Sequence, residues 1–87
     1  MKMKYIIVNG AFDLPTPFVF PETETHADVA SRILANHAPE HRTVISAGFC
    51  DVAEDGWHCW GESVSLKVVS RMDVDDRALN IAFRFNR

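Results

Sequence analysis

The chain predicts an α+β fold: a small antiparallel sheet in the order β-β-α-β-β-(β)-α, with two helices packed on one face. Three observations carry this expectation. From Thr43 to Ser70, apolar and polar residues alternate on either side of a Glu54-Asp55-Gly56 turn signal, the pattern of an antiparallel hairpin. Between Thr25 and Ala38 the apolar residues recur at helical spacing instead. The strand-like segments are joined by turn signals rather than crossovers, which favours an antiparallel sheet with helices layered against it.

In chain order, Lys4 to Val8 (KYIIV) is a β-branched strand, apolar on both parities and suited to a central or doubly covered position. Asn9-Gly10 signals a turn, with an irregular loop as the alternative. Pro15 and Pro17 are expected to forbid regular ladder bonds, so the second strand is placed at Phe18 to Phe20, as an edge strand closed by Pro21. Thr25 is the helix N-cap, with Asp28 at the third helical position. Val29, Ala30, Ile33, Leu34 and His37 form one helical face, and Asp28, Ser31, Arg32 and Asn36 the other. Pro39 ends this helix at or before Ala38, and His37 suits its C-terminal end.

A turn centred on Glu54 and Asp55 sets Cys50 opposite Cys59, Phe49 opposite Trp60 and Ile45 opposite Val64. One face then collects Ile45, Ala47, Phe49, Trp60 and Val64. The other collects Val44, Ser46, Gly48, Cys50, Val52, Trp57, Cys59 and Ser63, and is only half apolar. Val64, Leu66 and Val68 either prolong the return strand or begin a new one after a bend at Gly61. Gly48 and Gly61 suit a close backbone approach or a bulge. A second helix starts around Ser70 to Asp73, with Asp73, Asp75 and Asp76 in its first turn and Val74, Ala78, Ile81, Ala82 and Phe85 on one face. Ile81, Phe83 and Phe85 also alternate, so a last strand pairing with a neighbouring chain stays open.

With 87 residues, 47% of them apolar and 24% charged, residues 1–87 read as a single globular domain. No run approaches the roughly 20 apolar residues of a membrane helix, and the opening lysines lead only a four-residue apolar run, so a signal peptide is not expected and the expected location is a cytosol. A formal net charge of -3 argues against a dedicated phosphate-binding surface. Lys67, Arg71, Arg77, Arg84 and Arg87 are interleaved with Glu62, Asp73, Asp75 and Asp76 and read as a solvated face.

Chemistry finds little purchase. Cys50 and Cys59 read as packed thiols in a reducing compartment, with a redox-sensing pair as the alternative. His58 and Cys59 are neighbours on a strand and point to opposite faces, which is no dyad. His26, His37, His41, His58 and the cysteines lack metal-ligand spacing. The acid pairs Glu54-Asp55 and Asp75-Asp76 read as solvated, and no Gly-rich phosphate loop is present. No catalytic residue, metal or cofactor is therefore assigned. What remains is an expected contact surface built from Val44, Val52, Trp57, Phe18, Phe20, Phe83 and Phe85, a self-interface of a homodimer or an interface for another partner. Trp57 is either an exposed anchor of that surface or a core residue lying under the second helix.

Met3 to Val8 (MKYIIV), Ser46 to Phe49 (SAGF), Gly61 to Leu66 (GESVSL) and Ser70-Arg71 with the acids that follow resemble a family of short proteins encoded by bacteriophages and prophages. Met72 and the aromatic tail depart from that pattern. The resemblance implies a small accessory protein acting on host machinery, such as an anti-defence inhibitor. The function expected is thus a non-enzymatic protein–protein interaction module. The alternatives are a nucleic-acid-associated protein using Lys67, Arg71, Arg77 and Arg84, or a minor structural phage protein.

Overall fold

The computed structural model describes residues 2–9, 14–35 and 43–83. Four strands, β1 (Met3–Asn9), β2 (Pro15–Pro21), β3 (Val44–Ala53) and β4 (Gly56–Trp60), form one antiparallel sheet in the spatial order β2-β1-β3-β4. β5 (Glu62–Ser63) and β6 (Val68–Val69) make a separate small hairpin, and the helices are α1 (His26–Leu34) and α2 (Asp73–Ala82). The α+β class and the antiparallel sheet are as the sequence predicts.

The helices, however, do not share a face. Ile6, Val8, Phe20 and Ala47 pack with Val29 and Ala30 of α1. Tyr5, Ile7, Cys50 and Cys59 pack with Leu79 of α2 on the opposite side. The cause lies in β1, whose Tyr5, Ile6, Ile7 and Val8 are all inaccessible to solvent. A central strand that is apolar on both parities leaves two faces to be covered, and each helix covers one.

The hairpin forms in the expected register, with Cys50 opposite Cys59 and Phe49 opposite Trp60. Between Ile7 and Val8 the β1–β3 pairing shifts, so that Val8 meets Val44. This bulge inverts the expected faces of two residues: Val44 joins the α1 side and Ile45 the α2 side. Ile45 and Val64 do not pair. The chain leaves β4 at Gly61 (φ 80°) and folds into β5–β6, with Lys67 also at positive φ and the Ser70 N–H closing the hairpin on the Gly61 carbonyl at 2.9 Å. Val64 lies in the turn and is 79% exposed. Gly48 permits a close approach, because a Cβ there would overlap the Trp60 carbonyl oxygen and press on Ser70.

Both sheet edges are closed to further pairing, by different means. Along an antiparallel strand, backbone groups aim alternately at the two sides. The outward N–H groups of Trp57 and Cys59 donate to Asn80 Oδ1 (2.9 Å) and Asp76 Oδ1 (2.6 Å) of α2. Carrying this alternation across the sheet through the observed registers makes Pro15, Pro17, Val19 and Pro21 the outward residues of β2. Three of these four have no N–H. The prolines therefore sit inside the strand rather than before it, which corrects the shorter strand expected from the sequence.

α1 begins as predicted, with Thr25 Oγ1 accepting from the Asp28 N–H at 3.1 Å. His37, Pro39 and His41 lie outside the described residues. α2 is helical through Ala82, and the Phe83 N–H caps it on the Leu79 carbonyl at 2.9 Å. Ile81 therefore belongs to a helix and not to a last strand; Phe85 and Arg84 lie outside the described residues.

Candidate functional site

α2 positions every polar and apolar feature of note on its side of the sheet, and it does so in an unusual orientation. Its inner side presents Asp75, Asp76, Leu79, Asn80 and the following Phe83, at i, i+1, i+4, i+5 and i+8. Of these only Leu79 is an aliphatic residue buried in the core. The others fasten the helix by polar bonds or rest at its rim. Asp75 is fully buried, not solvated as expected from its place beside Asp76. Its Oδ1 accepts from Ser46 Oγ (3.0 Å) and Arg71 Nε (2.9 Å), and its Oδ2 accepts from the Arg71 N–H (2.9 Å) and from the Tyr5 hydroxyl. Tyr5 Oη also lies 2.7 Å from Ser70 Oγ, which accepts from the Met72 N–H at 3.0 Å. Burial, followed by the Asp75 carboxylate, pushes the Tyr5 phenol up from its ordinary 10.0, so it remains a donor at all physiological pH. This network joins β1, β3 and α2, and with every oxygen of Asp75 occupied it is a fastening rather than a reactive centre.

Because α2 turns its polar side inward, its apolar stripe is left outside. Val74 and Ile81 are 52% and 71% exposed, and between them Ala78 is half-buried against the core. Across a shallow groove they meet Leu14, 63% exposed, with Pro15 and Pro17 of β2. The groove encloses about 460 Å³, and Arg71 and Arg77 stand among its walls. Together these residues leave an exposed apolar surface on one side of a small domain. The sequence groups Val74 and Ile81 on one apolar face of α2, but the helix packs through Leu79, which lies outside that group. The signal that could have corrected this is the spacing of Asp75, Asp76 and Asn80 with Leu79, but hydropathy alone ranks that face as the solvated one.

The contact residues expected from the sequence are divided between the two faces. Phe20 is buried, and Phe18 and Val44 are partly buried against the α1-side core, so these three form no free surface together. Trp57 is partly buried on the α2 side, its ring 5.5 Å from that of Phe83, so it lies against the second helix without being enclosed. Val52 and Phe83 are exposed nearby, Phe83 to 45%. Phe85 lies outside the described residues. The basic stripe expected for nucleic acid is interrupted, since the Arg71 side chain is paired with Asp75.

Cys50 and Cys59 are both free and buried, packed in the α2-side core. Burial, with a smaller contribution from Asp51, pushes the Cys50 thiol up from 9.0 to about 12, and burial also raises Cys59. Thiols held this far from ionisation are poor nucleophiles and poor ligands. His58 points instead to Asp55 (2.8 Å), away from the thiols. Among the described residues no three His, Cys, Asp or Glu side chains converge as a metal site, and no helix is long and apolar enough to cross a membrane. No protein-family model, curated protein or solved structure matches the chain.

Proposed function

We propose that the protein is a non-enzymatic interaction module that pairs with a second copy of itself through the outward stripe of α2 and the adjoining start of β2. The observation that supports this most is the inversion of α2: a helix fastened by Asp75, Asp76 and Asn80 keeps Val74 and Ile81 exposed, an apolar surface of the kind a partner covers. The proline-blocked edge of β2 directs association towards side-chain packing and away from strand addition. Resemblance to short phage and prophage proteins supports a role as an accessory protein in the bacterial cytoplasm, occluding a surface of host or anti-phage machinery. The free cysteine pair is in keeping with such a reducing compartment.

Sedimentation velocity on the parent chain and on Ile81→Glu tests the proposal. The parent is expected to sediment as a dimer and the variant as a folded monomer. A parent that stays monomeric at its highest soluble concentration would refute self-pairing.

A further inference from the structure

On the other face of the sheet, one row of side chains crosses all four strands. Phe20 of β2, Lys4 of β1, Phe49 of β3 and Trp60 of β4 are successive register partners and therefore stand side by side. α1 covers only one end of this row. Phe20 is buried, its ring edge-on to His26 at 5.6 Å, whereas Lys4, Phe49 and Trp60 are partly exposed in a cleft of about 550 Å³. That volume lies within the range of small-ligand sites.

The cleft combines three kinds of recognition. Phe49 and Trp60 supply aromatic walls, inclined at 28° with ring centres 6.4 Å apart. Lys4 supplies a half-buried ammonium whose hydrogen bond goes to the neutral Glu24 carbonyl at 2.8 Å; among the described residues no carboxylate pairs with it. Lys2 adds a second cation at the rim, 4.8 Å from the Phe49 ring centre, held there by Glu22 at 3.3 Å. His26 is no competitor for an anion. Burial pushes its imidazole down from 6.5 and Lys4 adds to this, outweighing the opposing hydrogen bond, and its Nε2–H is spent on the Gly48 carbonyl at 2.9 Å. The remaining charged lining residue, Glu62, offers a carboxylate that needs donors.

We infer that this cleft binds a nucleotide: a base stacked on Trp60 beside Phe49, a phosphate on Lys4, and an amino or hydroxyl group of base or sugar on Glu62. Aromatic faces interleaved with lysine on a sheet are the elements by which unpaired bases are held without sequence reading. A plain anion would leave the aromatic walls unused, and a phosphorylated phenol carries no donor for Glu62. The site lies across the sheet from the α2 stripe, so it stands whether or not the chain dimerises. The same chemistry is supplied by a free nucleotide or by one residue of a single strand.

Trp60 is its own reporter in Trp57→Phe, which removes the only other indole. Emission is followed on addition of adenosine monophosphate, adenosine, phenyl phosphate and a single-stranded DNA dodecamer. The monophosphate is expected to quench Trp60, with adenosine and phenyl phosphate each bound about tenfold or more weakly. A dodecamer bound far more tightly than the monophosphate, and released by salt, identifies a strand; equal affinity per nucleotide identifies the free nucleotide. Lys4→Met, which keeps the aliphatic stem, should reduce monophosphate affinity about tenfold or more while far-UV circular dichroism stays unchanged. No quenching by monophosphate or dodecamer would overturn the inference, as would phenyl phosphate bound as tightly as the monophosphate. If Lys4→Met fails to fold, monophosphate against adenosine on the Trp57→Phe chain decides, since equal binding of the two removes the phosphate site.

Discussion

The two helices cover the same sheet from opposite sides and are held by opposite means. α1 has a side-chain cap at Thr25 and lays Val29, Ala30, Ile33 and Leu34 on an apolar bed of Ile6, Val8 and Ala47. α2 starts at Met72, which has a positive φ of 50° and makes no side-chain cap, and it docks through three polar side chains reaching into the sheet. Apolar packing is tolerant of small changes in orientation, whereas bonds from Asp75, Asp76 and Asn80 to fixed groups on β1, β3 and β4 fix the rotation of α2 about its axis. That fixed rotation keeps the apolar stripe of α2 in water. The lesson is that a buried polar network can specify which face of a helix is offered outward, even against hydropathy.

The largest effect should come from removing the centre of that network. Asp75→Ala leaves the Arg71 side chain, the Tyr5 hydroxyl and the Ser46 hydroxyl without their acceptor, and breaking a buried pair in this way costs about 3–5 kcal/mol. Val29→Ala on the α1 side removes two methyl groups from a buried position and should cost about 2 kcal/mol. Since a small domain has only about 5 kcal/mol or a little more in total, Asp75→Ala is expected to be largely unfolded and Val29→Ala folded. Urea titrations of the two would reverse the comparison if Val29→Ala proved the more destabilised.

The difference between the helices also explains what could be read from the chain. α1 was legible because its cap, its apolar spacing and its burial all agree: Thr25, Asp28, Val29 and Ala30 do what their residue types favour. The hairpin was legible for the same reason, its two-residue turn and alternation setting Cys50 against Cys59. α2 was legible as a helix but not in its orientation, because the burial of Asp75 depends on Tyr5, Ser46 and Arg71, which are brought together only by the folded topology. The swap of Val44 and Ile45 was hidden likewise, since one bulged residue reverses a two-residue period and leaves no compositional trace. The row from Phe20 to Trp60 needed the registers of three strand pairs, and only that of β3 with β4 could be counted from a turn.

Acid and alkali should probe the two sides separately. On the α2 side, burial raises Tyr5, Cys50 and Cys59, so the unfolded chain loses thiol protons near 9.0 and the phenol proton near 10.0 while the folded chain retains them. The unfolded state then binds fewer protons, and stability, full below pH 9, falls as pH rises beyond it. On the α1 side, His26 is lowered from 6.5, so the unfolded chain takes up a proton that the folded chain resists. Stability from this group is full above pH 6.5 and falls as pH drops below it. His58, raised chiefly by its hydrogen bond to Asp55, works in the opposite sense on the acid limb, which is best measured in His58→Gln. In His58→Gln the denaturation midpoint is therefore expected to be flat between pH 6.5 and 9 and to fall as pH rises beyond 9 and as it drops below 6.5. A midpoint that stays constant or rises above pH 9 would contradict the assignment on the α2 side, and one that stays constant or rises from pH 6.5 to 5 would contradict it for His26.

The smallest effects should come from the single hydrogen bonds at which each helix meets its surroundings. Thr25→Ala removes the cap of α1 and should cost about 1 kcal/mol, with the helix otherwise unmoved. Asn80→Ala removes one bond of similar size, from the Trp57 N–H, but it also opens the outer edge of β4 and loosens α2 against Gly56, whose surroundings are filled by that same side chain. Equal losses of stability should therefore be accompanied by unequal changes in backbone protection. In Asn80→Ala the Trp57 amide, and with it the Cys59 amide, should exchange with solvent faster, whereas Thr25→Ala should speed exchange only in the first turn of α1. If hydrogen exchange at Trp57 is unchanged in Asn80→Ala, the edge is sealed by something other than this side chain, and the polar docking of α2 rests on Asp75 and Asp76 alone.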